Sequence, residues 1–365
     1  MHSLAVTEQG TEVHVQGDTL VLQRGGKSAR TVRLQELREV LLFGRVEVTS
    51  AAVAVLARRG IDLVWLTAYG YYRARLLARG SRNVELRLAQ FRRLGDPEFV
   101  SRVARSIVAG KILHQRALLL RVQRKLRDEG LAEALGRMRL LAERAAREAD
   151  LDRLRGLEGE AAAVYFGQFD KAVDAPEMPF RGRSRRPPRD PVNACLSFGY
   201  ALLGSISETE LLRCGLDPMA GFFHAPKYGR PSLMLDLIEE FRPFVDALVL
   251  RLIHRRQLGP GDFVRRGEET LEEILAEDEP AGEGGDPVAP RDGAANGGAV
   301  EPGVFLGDAG RKVFLGEFFR RMRERLYYPP RDAAFELRDV LREQAYHLAR
   351  VIEGKDAEYA TFVPR

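Results

Sequence analysis

Three separated stretches of the sequence place acids or a histidine inside otherwise apolar runs. They span residues 157–162, 222–226 and 235–243. Carboxylate oxygens are the ligands that Mg²⁺ and Mn²⁺ prefer, and one imidazole among them favours Mn²⁺ without excluding Mg²⁺. A cation held there could neutralise a phosphodiester oxygen and orient an attacking hydroxyl or water. The three stretches therefore predict metal-dependent chemistry on a phosphodiester.

Each of the first two stretches also has a purely structural interpretation. Glu158 is predicted near the start of a helix, where an acid complements the helix dipole. His224 follows two phenylalanines and precedes Ala225 and Pro226, a setting that is also typical of a hydrogen-bonded turn residue. Taken singly, neither residue identifies a metal site.

The third stretch is more informative, because its acids share one helical surface. Asp236 lies three residues before Glu239 and four before Glu240, so either pair is adjacent on a helix. Like charges at that spacing repel each other unless a cation lies between them. Arg242 could supply the positive charge without any metal. Periodicity does not choose between Glu239 and Glu240.

A dense cationic loop separates the first stretch from the second. Guanidinium groups bind phosphate through two parallel hydrogen bonds, so the loop is a candidate for contacts with a nucleic-acid backbone. A solvated basic turn is the structural alternative. Residues 102–127, with eight basic residues and no acid, form a second candidate. The arginines of the loop are Arg181, Arg183, Arg185, Arg186 and Arg189.

The composition is typical of a soluble globular protein with a mild basic bias. The 365 residues are 45% hydrophobic and 30% charged, with a net charge of +5. Cys195 and Cys214 lack metal-type spacing and are expected to be reduced core residues, which favours a cytoplasmic protein. We recognise no signal peptide and no membrane-spanning run, so no membrane role is expected. P-loop, dinucleotide-binding and serine-hydrolase motifs are missing, which argues against those classes.

The hydrophobic pattern predicts an α+β fold, with a β-rich N-terminal domain followed by a larger all-α catalytic domain. Alternating runs predict strands, including a hairpin around Gly17, and a helix between Thr49 and Gly60. We place the β-rich domain at residues 1–90 and the α-helical domain at 91–365. Residues 277–303 are rich in Gly, Pro, Ala and acids and predict a disordered insertion. The predicted helices of the second domain span residues 85–93, 97–129, 131–153, 157–169, 191–214, 232–258, 315–325 and 333–353.

Four ordered motifs resemble those of the CRISPR-associated endonuclease/integrase family of spacer acquisition. The strand-rich start followed by a helical domain is similar as well, so the resemblance covers nearly the whole chain. Four motifs in one order are far more specific than any one of them. They are LEGEAAAVYF at 157–166, RRPPRDPVNACLSFGY at 185–200, GFFH at 221–224 and LDLIEEFRP at 235–243.

The resemblance implies a set of metal ligands and a set of catalytic residues. The implied ligands of Mg²⁺ or Mn²⁺ are Glu158, His224 and Glu239. Asp236 matches a nearby acid that is important for activity, so all four residues are expected to be catalytic. The resemblance thereby selects Glu239 over Glu240 and Glu158 over Glu160.

It also implies a reaction and partners. Family members form homodimers mainly through the β-rich domain and assemble with a small "Cas two" partner protein on short double-stranded DNA. A 3′-hydroxyl of that duplex attacks a phosphodiester at the border of a CRISPR repeat, in a metal-assisted transesterification that needs no ATP. Two alternatives stay open: a structure-specific DNA repair nuclease and a non-catalytic DNA-binding scaffold. A pure binder gains nothing from carboxylates that face phosphate, which argues against the scaffold.

Overall fold

A computed structural model describes residues 2–78, 80–185, 187–267 and 302–363 of the chain. Within them a strand-rich N-terminal region precedes a helical region, so the predicted α+β class and the order of its two parts are confirmed. The elements of the first region are β1 (His2–Val6), β2 (Thr11–Gln16), β3 (Thr19–Arg24), β4 (Lys27–Arg33), β5 (Leu37–Phe43), β6 (Val46–Val48), α1 (Ser50–Arg59), β7 (Asp62–Leu66) and β8 (Tyr72–Leu76).

Two four-stranded sheets and helix α1 build the strand-rich region. One sheet has the order β1-β5-β7-β8 and the other the order β4-β3-β2-β6. Strands β2 and β3 form the predicted hairpin, which turns at Gly17. Thr49 caps α1, and Gly60 ends it with a φ of 75°, a left-handed conformation that favours glycine. The predicted hairpin and helix are therefore confirmed.

Strand β5 contributes to two hydrophobic cores. Val40 and Leu42 belong to the core between the two sheets, whereas Leu41 and Phe43 belong to the core of the helical region. Alternate side chains of a strand point to opposite faces, so a single strand can supply both cores. The sheet that contains β5 is consequently a wall against which the helical region packs.

Several helices of this region begin at aspartate caps. The carboxylates of Asp96, Asp128, Asp150 and Asp190 each accept a backbone N–H from the first turn of the helix that follows. Such caps satisfy N–H groups that have no partner inside the helix. The helices of this region are α2 (Val84–Leu94), α3 (Pro97–Leu126), α4 (Glu129–Ala145), α5 (Leu151–Gly167), α6 (Phe169–Val173), α7 (Pro191–Cys214), α8 (Ser232–Glu239), α9 (Arg242–His254), α10 (Asp308–Met322) and α11 (Leu337–Ile352).

Helix α5 begins earlier than the sequence pattern predicts. The predicted helix 131–153 ends at Ala145, and Asp150 then caps a new helix that continues through the predicted segment 157–169. Glu158 therefore lies in the middle of a helix, and its predicted position near a helix start is wrong. The dipole interpretation fails with it, because the effect of the helix dipole is confined to the first turn.

The predicted helix 232–258 is also two helices. Helix α8 ends at Glu239 and α9 starts at Arg242. Pro243 has no N–H to donate to the carbonyl of Glu239, and its ring disfavours a continuous helix through the preceding turn. The break falls within the third stretch, residues 235–243, and separates Glu239 from helix α9.

Two pairs of short antiparallel strands lie among the helices, and the second pair replaces the start of the predicted helix 333–353. Strand β9 (Phe263–Arg266) pairs with β10 (Gly303–Leu306), and β11 (Arg325–Tyr328) pairs with β12 (Ala333–Glu336). Residues 277–301 of the predicted insertion lie outside the described residues. Its predicted end is wrong, because residue 303 already opens a buried strand that pairs with β9.

Ion pairs join the two regions. Arg338 of α11 lies 2.6 Å from Glu39 of β5, and Arg213 of α7 lies 2.7 Å from Asp62 of β7. Burial opposes ionisation of Glu39, but the charge of Arg338 outweighs it and lowers the pKa of the carboxyl. The position of the helices against the sheet therefore depends on charges that water screens little.

Two predictions from composition concern cysteines and membrane spans. Cys195 and Cys214 are buried and form no disulfide, which confirms them as core thiols. Of the helices that the structure describes, none combines the length and the apolar character that crossing a membrane requires.

Candidate functional site

Helices α3, α5 and α8 bring two of the predicted ligands together. Glu158 lies in the middle of α5 and Glu239 at the end of α8, and both carboxylates contact the ammonium of Lys111 on α3. Lys111 Nζ lies 2.6 Å from Glu239 Oε2 and donates a hydrogen bond to Glu158 Oε1. Two acids that are far apart in the sequence thus converge on a single cationic group.

Asp236 fixes the position of His224. Its Oδ2 accepts the backbone N–H groups of Phe222 and Phe223, and its Oδ1 accepts the backbone N–H of His224 at 2.9 Å. Oδ1 also lies 2.7 Å from His224 Nδ1. An ionised carboxylate only accepts, so Nδ1 carries the proton of this contact and Nε2 is left for another group. Asp236 is therefore a positioning residue that acts through His224.

Glu239 is a buried carboxylate that stays ionised. Its exposed fraction is 3%, and burial by itself opposes the charge. The charges of Arg242 and Lys111 outweigh that penalty and lower the pKa of Glu239 to about 2. Arg242 lies 3.2 Å from Glu239 Oε1, so the structural role that the sequence allowed for Arg242 is present. An anion at this depth is suited to hold a cation.

The neighbouring acids point elsewhere. Glu160 binds Arg137 on the surface at 2.8 Å. Glu240 is buried and accepts hydrogen bonds from the Tyr359 hydroxyl, the Phe362 backbone N–H and the side-chain amide of Gln344. Glu239 and Glu240 are adjacent and point about 100° apart, and Glu158 and Glu160 are two residues apart and point about 160° apart, so one acid of each pair faces the site and the other does not. Glu158 and Glu239 are the members that meet.

The donor set fits a divalent cation that prefers oxygen. Two carboxylates and one imidazole are suited to Mg²⁺ or Mn²⁺. Glu239 Oε2 is buried, and the cation that contacts it at 2.6 Å is the ammonium of Lys111. In the described ranges, no three His, Cys, Asp or Glu side chains are grouped closely enough to hold a metal ion. The assignment of Glu158, His224 and Glu239 as ligands therefore stays a prediction.

The arginine loop presents some of its side chains outward. Arg181, Arg185 and Arg189 are exposed. Arg181 and Arg185 line a recess of about 610 Å³ against the α5 residues Ala162 and Phe166. Ala162 lies one helical turn beyond Glu158, or about 6 Å along the axis. The basic surface therefore starts close to the acidic site.

Arg183 has a different role from its neighbours in the loop. It donates hydrogen bonds to Asn193 Oδ1 at 2.8 Å and to Ser197 Oγ at 3.1 Å, both on α7. Burial lowers the pKa of its guanidinium. Arg183 thus ties the loop to α7, which the sequence interpretation of the loop as uniformly phosphate-facing did not foresee. Arg186 lies outside the described residues.

A larger cleft continues the basic surface away from α5. Its volume is about 1090 Å³, and Arg181, Arg185 and Arg189 line it on one side. Arg265 of β9 lines it on the other side. Arg265 was not identified from the sequence, because its strand β9 is too short to show a clear period. Its partner strand β10 is also far away in the chain.

Lys111 is the residue of the site that sequence reasoning missed. It belongs to the basic run 102–127, yet it is buried, with an exposed fraction of 6%. The sequence feature that could have identified it is its spacing: Lys111 follows Ile107 by four residues and Val103 by eight, which places it on the apolar stripe of α3. A lysine on a buried stripe needs a partner, and acids elsewhere in the chain supply it. The exposed basic residues of the run lie instead at the end of α3, at Arg121, Arg124, Lys125 and Arg127.

Comparison with solved structures shows the fold. A Cas1 protein from Thermotoga maritima superposes with a TM-score of 0.73, at 22% identity and with 100% of both chains covered. A casposase bound to integration product gives a TM-score of 0.77 at 21% identity, with 99% of this chain and 93% of the other covered. The Cas6-RT-Cas1–Cas2 complex gives 0.77 at 21% identity, with 99% of this chain and 36% of the other covered.

Comparison of sequences shows the family. The family model for CRISPR associated protein Cas1 matches residues 4–278. The CRISPR-associated endonuclease Cas1 2 of Rhodospirillum rubrum is 36% identical over 368 residues, which cover 97% of this chain and 96% of the relative. A Cas4/Cas1 fusion of Geobacter sulfurreducens is 35% identical over 361 residues. The match covers 97% of this chain and 58% of the fusion. The chain belongs to the CRISPR-associated Cas1 family.

Proposed function

We propose that this protein is a metal-dependent DNA endonuclease and integrase that inserts short DNA fragments into a CRISPR repeat array, in adaptive defence against foreign DNA. One observation carries the proposal: Glu158 and Glu239 converge on one ammonium, and Asp236, on the same helix as Glu239, holds His224. Arginines line a recess against the helix that carries Glu158. Membership of the Cas1 family and the likeness to a casposase bound to integration product support the same activity.

The proposed reaction is a transesterification. The 3′-hydroxyl of the incoming fragment attacks a phosphorus atom of the repeat DNA, a new P–O bond forms, and the bond to the existing 3′-oxygen breaks. One phosphodiester replaces another, so no nucleotide cofactor is consumed. Mg²⁺ or Mn²⁺, held by Glu158, His224 and Glu239, would supply the positive charge that stabilises the transition state.

The residues of the chain then have distinct tasks. The proton that Asp236 holds on Nδ1 leaves Nε2 of His224 available as a ligand. The exposed arginines Arg181, Arg185 and Arg189 bind backbone phosphates and hold the DNA, a role that fixes position without reading sequence. Accurate positioning is the main contribution of the protein, because the attacking and leaving oxygens must lie in line.

The proposal extends to partners and location. We infer that residues 1–90 mediate homodimerisation and that residues 91–365 form the catalytic domain. A small Cas2 partner completes the assembly on double-stranded DNA, as the Cas1–Cas2 composition of a similar structure suggests. Two buried, unpaired cysteines are consistent with a cytoplasmic location.

A strand-transfer assay tests the function. Purified protein, with and without the small partner, is mixed with a labelled short duplex and a plasmid that carries a repeat, in Mg²⁺, Mn²⁺ or EDTA. The proposal expects metal-dependent joining that Glu158→Ala and Glu239→Ala abolish. Cleavage without joining would instead identify a repair nuclease. Binding without either reaction, in every metal and with the partner, would identify a scaffold.

A further inference from the structure

The position of Lys111 is unusual for a lysine. Its side chain leaves the buried stripe of α3 and ends between two acids, with an exposed fraction of 6%. Moving an ammonium out of water costs several kcal/mol unless partners compensate. Here Glu158 and Glu239 compensate it, and these are the two carboxylates proposed to bind a metal.

Lys111 and Arg242 neutralise different sides of Glu239. Arg242 approaches Oε1 at 3.2 Å, and Lys111 approaches Oε2 at 2.6 Å. The Lys111 ammonium also binds Glu158 Oε1, so it contacts both carboxylates. The ammonium therefore lies between the two carboxylates, at the place where one cation can contact both.

We propose that Lys111 is the internal cation of the metal-free site, and that a divalent cation must displace its ammonium from at least one of the two carboxylates in order to bind. The proposal rests on the proposed function, since it takes Glu158 and Glu239 as metal ligands. In the metal-free protein, Lys111 holds the two acids at one point and suppresses their repulsion. Metal binding is then an exchange of cations, and the affinity for metal is lower than the carboxylates alone would give.

The test is a titration of the full chain with Mn²⁺ alone, followed by calorimetry and by thermal unfolding. Lys111→Met removes the charge and keeps an unbranched apolar stem on α3. We expect this variant to bind Mn²⁺ about tenfold tighter than the wild type, or more, because no competing cation must leave. We also expect a lower Tm without metal and a larger rise in Tm on adding Mn²⁺, because the buried Glu239 and the partly exposed Glu158 lose the cation that they share. Equal or weaker affinity would overturn the proposal and leave Lys111 as a residue that only positions the ligands.

Two further variants serve as controls for Lys111→Met. Arg242→Met also removes a positive charge beside Glu239, but from Oε1 and not from the Oε2 that Lys111 contacts. It should tighten Mn²⁺ binding less than Lys111→Met does, and equal tightening would replace displacement by a general charge effect. Lys171→Met, at a surface lysine paired with Asp128, should leave the affinity unchanged.

Loss of folding, failure of the metal site and failure of the displacement by metal each give a different result. If Lys111→Met is unfolded without metal, Lys111→Gln is used, since a neutral amide can still donate to one carboxylate; the same increase in affinity is expected. If the wild type binds Mn²⁺ and Glu158→Gln does not, the metal site holds, and only the comparison with Lys111→Met decides the inference. Absence of Mn²⁺ binding in both the wild type and the Lys111 variants would overturn the metal site and the inference together.

Discussion

Asp236 and His224 are joined twice, through the backbone N–H of His224 at 2.9 Å and through its Nδ1 at 2.7 Å, both to the same carboxylate oxygen. This double contact fixes the main chain and the ring together. The same carboxylate secures the two preceding residues, so the loop is organised around one acid.

Replacement of Asp236 should weaken metal binding while the ligands remain. We expect Asp236→Asn to lower the affinity for Mn²⁺ by about 10- to 100-fold, because the proton on Nδ1 and the ring orientation are no longer enforced. Calorimetry measures the affinity directly. Asp152→Asn is the control, since that carboxylate is 90% exposed on the first turn of α5. Equal affinity in the two variants would contradict the positioning role.

Helix α5 offers a matched pair of acids. Glu158→Gln should abolish metal-dependent strand transfer, because it removes a carboxylate from the site. Glu160→Gln should retain activity within about twofold, since it removes one surface ion pair of small energetic value. The assay is joining of a labelled duplex to repeat DNA. Loss of activity in the Glu160 variant alone would show that the other face of α5 carries the chemistry.

The arginine loop should divide into binding and structural residues. The double variant Arg181→Ala/Arg185→Ala should weaken DNA binding and flatten its dependence on salt, by about 0.9 in log–log slope for each phosphate that the protein no longer neutralises. Fluorescence anisotropy at several salt concentrations measures both quantities. Arg139→Ala, at an exposed arginine of α4, is the control. An unchanged slope in the double variant would remove the loop from the DNA-binding surface.

The stability of the helical core should depend on the protonation of Asp246. Burial raises its pKa to about 6, against the lowering effect of hydrogen bonds from the Tyr200 and Tyr165 hydroxyls. Because the folded-state pKa lies above the ordinary value of 3.8, the folded protein holds the proton more tightly than the unfolded chain does. The contribution of Asp246 is therefore complete below about pH 4 and is lost as the pH rises through about 6.

The variant Asp246→Asn isolates this effect, since an amide can accept from one tyrosine and donate to the other. The free energy of unfolding of the wild type, minus that of the variant, should fall by about 3 kcal/mol between about pH 4 and about pH 7. Urea denaturation at each pH measures both values. A difference that stays constant, or that rises with pH, would contradict the assigned sign.

The contact between the two regions should be sensitive to loss of one charge. Arg338→Met leaves Glu39 buried without its partner, which should cost about 3–5 kcal/mol in the free energy of unfolding. Adding Glu39→Gln to that variant should recover part of the loss, because no charge is then stranded. Chemical denaturation of the single and double variants measures the coupling. If the double variant is as unstable as the single one, packing and not charge joins the regions at this point.

Much of the fold is predictable because its signals are local. Alternation of side chains predicts the β2–β3 hairpin, and a threonine cap with a terminal glycine predicts α1. The long helices are recognisable by their period, but their ends are not, since Asp150 and Pro243 act at single positions inside otherwise continuous patterns. The β9–β10 pair escapes prediction because pairing of distant strands leaves no local period.

For the site, the sequence alone determined the residue types: acids and one histidine set in apolar runs, with arginines between them. The family resemblance then chose Glu158 over Glu160 and Glu239 over Glu240. Only the tertiary structure decided that these acids meet on Lys111 and that Asp236 serves His224. The physical reason is that a helical period fixes which face of a helix is buried, whereas the packing of α3, α5 and α8 against one another decides which buried side chains touch.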